Sequence, residues 1–249
     1  HNVIAINNNP DGLNINKNCG AVDTKILSKK VLKENADIGF AFDGDGDRLI
    51  IVDEKGKEID GDKIIALFSK HFLKPKNKPN QSDVIITVMS NMGLENYLTK
   101  KLKLKIKRTA VGDINVINQM KKSKSSLGGE QSGHIIMSNF SNTGDGILAA
   151  LKITEILTTT QSKASSLFDL YKNYPQEKIN LTYSVKNKKL LNAIEKLKKD
   201  KSKNNNNLRS LVRFSGTEPL IRILVEGKNI NIVKSNLLKI KNSIRFYLD

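Results

Sequence analysis

The chain has 249 residues, of which 38% are hydrophobic and 27% charged, a composition that predicts a soluble folded protein and excludes a disordered one. The formal net charge of +17 comes mainly from lysines scattered along predicted helices and loops, and stacking aromatics are scarce, so we expect no nucleic-acid partner. No apolar run approaches a membrane span, no signal peptide opens the sequence, and Cys19 is a single cysteine, so we expect a cytoplasmic protein with no membrane partner.

Strand-like and helix-like segments alternate along the chain, which predicts an α/β architecture that becomes α+β near the C-terminus. Strands are predicted at 3–6, 38–42, 49–53, 84–88, 104–107, 179–185, 208–214 and 220–226, with a loop running into a strand at 127–137. Helices are predicted at 23–34 and 62–72, from the end of the segment SNMG at 90–93 to about 101, and at 113–121, 146–158, 190–199 and 230–247. In the last helix, Val233, Leu237, Ile240 and Ile244 form one apolar stripe.

Two segments have the composition of domain boundaries. Residues 74–82 contain two prolines and no apolar side chain, and residues 173–178 precede the change in element order. These boundaries predict two α/β domains, 1–75 and 76–174, and a C-terminal α+β domain, 175–249. Residues 198–207 are predicted to be a solvated polar loop.

The sequence FAFDGDGDRLIIVD at 40–53 places three carboxylates in one loop. Asp43, Asp45 and Asp47 alternate with Gly44 and Gly46, so the three side chains can converge on one point. Three carboxylates this close repel one another unless a cation lies between them, and oxygen ligands suit Mg²⁺ or Ca²⁺. The loop is therefore a candidate metal site with open positions for a phosphate oxygen.

A calcium-binding EF-hand is the alternative interpretation of this loop, and it would make the protein a non-catalytic binding module. The spacing from Asp43 to Glu54 fits the twelve-residue EF-hand pattern. Arg48 occupies the position that should be glycine, and the flanking segments read as strands instead of helices. The pattern therefore favours a catalytic Mg²⁺ site.

The segment RFSGTEPLIR at 213–222 has the composition of a phosphate cradle. Ser215 and Thr217 offer hydroxyl donors, Gly216 allows backbone N–H groups to turn inward, and Arg213 and Arg222 bracket the loop. Only six arginines occur in this lysine-rich chain, so their presence here indicates a need for a planar, bidentate cation. A hairpin turn with no function is the alternative.

The segment GEQSGH at 129–134 carries a carboxylate, a hydroxyl and an imidazole. On an extended backbone Glu130, Ser132 and His134 would face one cavity, which suits a polyol such as a sugar. His134 could also act as a general acid or base. Taken alone, the segment is more typical of a hydrogen-bonded structural histidine than of a functional one.

These three motifs, in this order, resemble the α-D-phosphohexomutase family: DGDGDR as its metal loop, GEQSGH as its sugar loop and SGTEP as its phosphate loop. Residues 10–21 and the segment MSNMGLE at 89–95 are more similar to the branch that acts on glucosamine phosphates than to those that act on mannose or glucose phosphates. The resemblance implies two phosphohexomutase-type α/β units, the first incomplete, and a C-terminal α+β domain.

The resemblance also implies a chemistry that interconverts glucosamine 6-phosphate and glucosamine 1-phosphate for cell-wall precursors. A phosphorylated serine transfers its phosphoryl group to the sugar phosphate, giving a hexosamine 1,6-bisphosphate, and the other phosphate returns to the serine. Mg²⁺ is the implied cofactor and the sugar phosphate the implied partner. The implied roles are Mg²⁺ binding by Asp43, Asp45 and Asp47, contact with the transferring phosphate by Arg48, sugar binding by Glu130, Ser132 and His134, and phosphate binding by Arg213, Ser215, Gly216, Thr217 and Arg222.

The sequence departs from the family pattern in two places. No segment resembles the family's serine-containing S-H-N-P motif, so we expect a fragment that corresponds to the last portion of a family member and is inactive alone. At 111–115 the family's V-G-D-R-Y pattern reads VGDIN, so Ile114 and Asn115 replace a basic and an aromatic residue. Lys107 or Arg108 is predicted to compensate for the missing basic group.

Overall fold

The computed structural model describes residues 2–73, 83–201, 208–215 and 218–248. It divides into two compact units, the first formed by His1–Ser90 and Leu94–Lys172, the second by Asn91–Gly93 and Asn173–Asp249. The predicted boundary at 74–82 and residues 202–207 of the predicted polar loop lie outside the described residues. Within the described part of the chain, no helix is both long and apolar enough to cross a membrane.

Helices and strands alternate through the first two thirds of the chain. They are α1 Lys25–Glu34, β1 Ile38–Phe42, β2 Leu49–Asp53, β3 Glu58–Ile59, α2 Gly61–Phe72, β4 Val84–Thr87, α3 Met92–Asn96, β5 Ile106–Thr109, α4 Asp113–Ser123, β6 Leu127–Gly129, β7 Ile135–Met137, α5 Gly146–Thr160 and α6 Ala164–Leu167. A single π turn, Tyr97–Lys101, follows α3. The mixed α/β class predicted from the alternating pattern is confirmed.

The first unit contains two sheets. Strands β1, β2 and β3 form an antiparallel sheet in that order, with Phe42 opposite Leu49 where the β1–β2 loop begins and ends. The second sheet has the order β5-β4-β6-β7, in which β4 pairs in parallel with β5 and β6, and β7 pairs antiparallel with β6. The predicted bounds of β1 and β2 are confirmed to the residue.

The second sheet is covered by helices on both faces. Ile86 of β4 packs in a large core with α2, α5 and β2, whereas its neighbour Ile85 packs on the opposite face with Val116 and Met120 of α4. Because successive strand residues point to opposite faces, a continuous apolar strand such as β4 fits this buried position. The same large core holds the β1–β2 hairpin against the second sheet, and this fixes where the aspartate loop lies.

The second unit is an antiparallel sheet backed by two helices. Its elements are β8 Gln176–Thr182, α7 Lys188–Lys201, β9 Leu208–Phe214, β10 Leu220–Gly227 and α8 Ile230–Arg245, and the strand order is β8-β10-β9. Ile221, Ile223 and Val225 alternate along β10 and pack against both helices. The predicted stripe of α8 is confirmed: Val233, Ile240 and Ile244 are buried and Leu237 packs against the same core.

Several predicted elements differ from the structure. The strands predicted at 104–107 and 179–185 are β5 and β8, shifted by two and three residues. Residues 3–6 form no strand, and no strand in the described residues pairs with this segment. Val3 is accordingly 82% exposed. The first four residues of the predicted loop 198–207 belong to α7, which continues to Lys201. Segment 127–137 is a hairpin, with strands β6 and β7 on either side of a tight turn. The division into three domains stays a prediction.

Candidate functional site

The aspartate loop is the connection between β1 and β2. The backbone N–H of Gly46 donates to the carbonyl oxygen of Asp43 at 3.1 Å, and Gly46 has a φ of 73°, which favours glycine. The backbone N–H of Arg48 donates to Asp43 Oδ1 at 3.0 Å. The resulting turn brings one carboxylate oxygen from each of Asp43, Asp45 and Asp47 within 4.8 Å of one another.

The donor set of this loop fits a hard divalent cation. Asp47 Oδ1 is buried and has no hydrogen-bond partner among the described residues, and a bound cation would satisfy it. Burial raises the pKa of Asp47; His134 opposes the shift, and the neighbouring Asp43 and Asp45 add to it. A cation between the three carboxylates would relieve this mutual repulsion.

Arg48 lies beside the carboxylates with its side chain 43% exposed. Its Nε atom is 3.5 Å from Asp43 Oδ2 and 3.7 Å from Asp47 Oδ1. Neither contact is a hydrogen bond, and Nε is buried without a hydrogen-bond partner in the described part of the chain. A guanidinium in this position can bind an anion that approaches the metal loop.

The loop does not have the geometry of an EF-hand. It connects two antiparallel strands, β1 and β2, where an EF-hand has helices. The carboxylate of Glu54, the residue at the twelfth position, accepts hydrogen bonds from Ser165, at 2.5 Å from Oγ and 2.9 Å from the backbone N–H. The structure therefore excludes this interpretation of the loop.

The predicted sugar segment is a tight turn between β6 and β7, not an extended strand. The N–H of Glu130 donates to the carbonyl of His134, and the N–H of Gly133 donates to the carbonyl of Glu130. Glu130 Oε1 accepts from the N–H of Gly112 at 2.9 Å, which leaves Oε2 without a partner among the described residues. Ser132 lies exposed at the tip of the turn.

His134 is directed from this turn to the metal loop. It is 4% exposed, and its Nδ1 lies 3.0 Å from Asp47 Oδ2. Arg48 and His134 form an antiparallel bridge, so the backbones of the two motifs are also paired. The structure thus brings two motifs that are 87 residues apart into contact, which no local sequence pattern indicates.

A third segment, at the start of α5, completes this region and was missed from the sequence. The N–H of Gly146 donates to the carbonyl of Gly46 at 2.9 Å, and a Cβ at Gly146 would lie 2.6 Å from the carbonyl oxygen of Arg48. A Cβ at Gly144 would lie 2.4 Å from Cε1 of His134. The sequence signal was the pair of glycines around Asp145, which is the N-cap of α5.

The predicted phosphate loop lies in the second unit, between β9 and β10. Arg213 and Arg222 are directly opposite each other on these strands, an arrangement of like charges that a bound anion would stabilise. Arg222 Nη2 contacts Glu218 Oε2 at 2.7 Å, whereas its Nε is buried with no hydrogen-bond partner in the described range. The N–H of Ser215 donates to Leu220. Gly216 and Thr217 lie outside the described residues.

The two basic residues predicted to compensate for Ile114 and Asn115 both have other partners in the described part of the chain, and their compensating role stays a prediction. The guanidinium of Arg108 makes four hydrogen bonds, two of them to Glu95 and the others to backbone carbonyls. Lys107 Nζ pairs with Asp83 at 2.7 Å. Ile114 itself is 64% exposed, so this edge of the first unit carries an apolar side chain.

The chain belongs to the phosphoglucomutase/phosphomannomutase family of phosphohexomutases. Residues 60–174 match the family's α/β/α domain III, and residues 180–235 match its C-terminal domain. Together the two matches cover more than half of the chain.

Similar relatives include two proteins named phosphoglucosamine mutase. That of Nautilia profundicola is 46% identical over 247 residues, which cover 96% of this chain and 54% of the relative. That of Caldicellulosiruptor bescii is 43% identical, with coverage of 94% and 53%. The chain therefore spans about half the length of the curated relatives it matches, and corresponds to their C-terminal half.

Solved structures agree on the fold. A phosphoglucomutase/phosphomannomutase family protein from Burkholderia thailandensis has a TM-score of 0.76 at 22% identity, covering 92% of this chain and 51% of that protein. The N-acetylphosphoglucosamine mutase of Aspergillus fumigatus, solved with GlcNAc-6P and magnesium, has a TM-score of 0.69 at 21% identity, with coverage of 95% and 58%. Another structure of the Aspergillus enzyme was solved with glucose 1,6-bisphosphate.

Proposed function

We propose that the chain provides the metal, sugar and phosphate sites of a phosphoglucosamine mutase, which interconverts glucosamine 6-phosphate and glucosamine 1-phosphate. The observation that carries the proposal is the convergence of Asp43, Asp45 and Asp47 on one point, beside the guanidinium of Arg48. The names of the relatives support the same substrate class. A phosphomannomutase or phosphoglucomutase is the alternative within the family.

Each motif of the first unit has a distinct part in the proposed reaction. The three aspartates hold Mg²⁺, which supplies charge neutralisation for the transferred phosphoryl group when bound. Arg48 binds an oxygen of that group, because its exposed guanidinium lies next to the carboxylates. His134 holds Asp47 in place through Nδ1; its use as an acid or base remains part of the proposal. Glu130 Oε2 and the hydroxyl of Ser132 bind sugar hydroxyls.

The second unit holds the phosphate that does not react. Its proposed ligands are Arg213, Ser215, Gly216, Thr217 and Arg222. The phosphoserine comes from a part of the protein outside this sequence and transfers its phosphoryl group to the sugar phosphate. This transfer gives the intermediate, a hexosamine 1,6-bisphosphate. The other phosphoryl group of the intermediate is then returned to the serine. The cytoplasm is the proposed compartment, and a sugar phosphate the proposed partner.

A chimera tests this function. The residues of the Nautilia profundicola relative that precede the matched region are joined to His1 of this chain, and kcat/KM is measured for glucosamine, glucose and mannose 6-phosphates. Mg²⁺ and a catalytic amount of the 1,6-bisphosphate are included. We expect glucosamine 6-phosphate to be preferred by about tenfold or more, because its protonated amine can form a charge-assisted hydrogen bond that a neutral hydroxyl cannot form.

Two controls define the outcome. The intact Nautilia relative shows that the assay works, and the chimera with Asp45→Asn shows that turnover depends on the metal loop. A preference for glucose or mannose 6-phosphate would establish the alternative within the family. A folded chimera that turns over none of the three would refute a mutase.

A further inference from the structure

Gln131, which none of the predicted roles includes, is bound twice by the beginning of α2. Its side-chain Nε2 donates to Asp60 Oδ2 at 3.0 Å. Its backbone carbonyl accepts from the N–H of Gly61, also at 3.0 Å. Both contacts therefore attach the turn at residues 130–133 to one helix terminus in the same unit.

Asp60 serves the helix and the turn with different oxygens. Its Oδ1 accepts from the N–H of Lys63 at 3.2 Å, which makes Asp60 the N-cap of α2, while Oδ2 accepts from Gln131. Burial raises the pKa of Asp60, and these two hydrogen bonds oppose the shift. The carboxylate is thus fixed in one orientation from both sides.

The backbone of the turn lies directly against this helix terminus. A Cβ at Gly61 would lie 2.1 Å from the carbonyl oxygen of Glu130 and 2.8 Å from the nitrogen of Gly133. Only a residue without a side chain permits this approach. We refer to the contacts of Gln131 with Asp60 and Gly61 as the clasp. The clasp therefore lies where the turn and the helix terminus are closely packed.

The turn held by the clasp makes three contacts that lead into the candidate site. Glu130 accepts from Gly112, and His134 contacts Asp47. The carbonyl of Gly133 accepts from the N–H of Leu49, the first residue of β2, at 3.0 Å. A shift of the turn would disturb all three contacts together, because they all arise from the short segment 130–134.

We propose that Gln131 is a positioning residue, whose clasp to the N-terminus of α2 sets the orientation of Glu130 and His134. This role deepens the proposed function, on which its relevance to sugar binding rests. The side-chain amide of Gln131 donates to Asp60, so the residue acts through its neighbours. It would not bind the sugar itself.

The N–H of Gly112 reports on the clasp by NMR hydrogen exchange in the chain itself. Gln131→Met keeps the length of the side chain and removes its hydrogen bond. We expect the Gly112 amide to exchange about five- to tenfold faster, which corresponds to the free energy of about one hydrogen bond. The exchange of the core amide of Ile86 should be unaffected. Gln119→Met, which removes a hydrogen bond to Ser123 in α4, is the matched control.

A second variant separates the clasp from the helix cap. Asp60→Ser retains an N-cap for Lys63, because serine is a good cap, but its side chain is too short to reach Gln131. We expect it to match Gln131→Met, and the double variant to exchange no faster than either single one, since all three remove the same hydrogen bond. Unchanged exchange at Gly112, or additive effects of the two variants, would overturn the proposal.

A kinetic measurement separates positioning from stability and from the function itself. In the chimera, Gln131→Met is expected to raise KM for the preferred sugar phosphate about fivefold with a smaller change in kcat, and Gln119→Met to change neither. An unchanged KM would contradict the positioning role. The exchange experiment contains no sugar phosphate, so its result does not depend on the proposed function. A chimera that failed to turn over any hexose phosphate would refute the function, and the exchange rate of the Gly112 amide would still test the clasp.

Discussion

At the scale of single residues, the link between His134 and Asp47 depends on the absence of a side chain at Gly144. A methyl group there would lie 2.4 Å from Cε1 and 2.5 Å from Nε2 of the His134 ring, so the ring would have to move away. We predict that Gly144→Ala lowers the free energy of unfolding by about 1–3 kcal/mol, as overpacking does in other buried sites. Urea unfolding measures this change.

The same variant has a local signature at the ring. We expect the NMR signals of His134 to shift, because its contact with Asp47 is lengthened, while those of His71 remain in place. Thr143→Ala, at an exposed neighbouring position, is the control and should leave both quantities unchanged. Wild-type stability together with unshifted His134 signals in Gly144→Ala would contradict the packing described for this ring.

At the scale of elements, the N-terminus of α6 is bound by a carboxylate from beyond the end of β2. Glu54 accepts from both the hydroxyl and the backbone N–H of Ser165. Burial alone would raise the pKa of Glu54, but these two hydrogen bonds favour the charged form and the net effect is a lowered pKa. The contact therefore stabilises the fold above the ordinary pKa of 4.5 and is lost as the pH falls through the folded value.

Ser165→Ala removes one of these two hydrogen bonds. We predict a loss of about 0.5–1 kcal/mol of unfolding free energy at pH 7, at the low end for a charged acceptor because the carboxylate is partly exposed. The difference from wild type should shrink as the pH falls below about 4.5, where Glu54 becomes protonated in the unfolded chain. Urea unfolding from pH 3.5 to pH 7 measures it, with exposed Ser166→Ala as control. A difference that stays constant with pH would contradict the role of Glu54.

The elements also show where sequence reasoning succeeds. Strands β1 and β2 were predicted with the correct bounds because two short apolar runs flank a glycine-rich loop, which is the pattern of two strands and their connection. Segment 129–134 was predicted to be extended and is a turn, since alternation of polar residues over six positions does not distinguish the two. Gly133, with a φ of 95°, is the residue that turns the chain. Residues 3–6 have a strand-like pattern without a strand partner in the described part of the molecule.

At the scale of the whole molecule, the chain consists of two units with separate hydrophobic cores. The predicted metal loop and the predicted sugar segment, 129–134, lie in the first unit. The predicted phosphate loop lies in the second. The sequence indicated the type of ligand that each motif suits, because carboxylates, hydroxyls and arginines have distinct chemistries. It did not indicate that His134 contacts Asp47 or that Arg108 is already engaged, because these contacts depend on tertiary packing between distant segments.

The most direct test of the central claim is a calorimetric titration of the chain with Mg²⁺. We predict that the wild type binds one ion, and that Asp45→Asn, which removes one carboxylate charge from an exposed position, binds at least about tenfold more weakly with an unchanged unfolding temperature. Asp113→Asn, at the exposed start of α4, is the matched control and should bind as the wild type does. Equal Mg²⁺ affinity in Asp45→Asn and wild type would contradict the assignment of the metal loop.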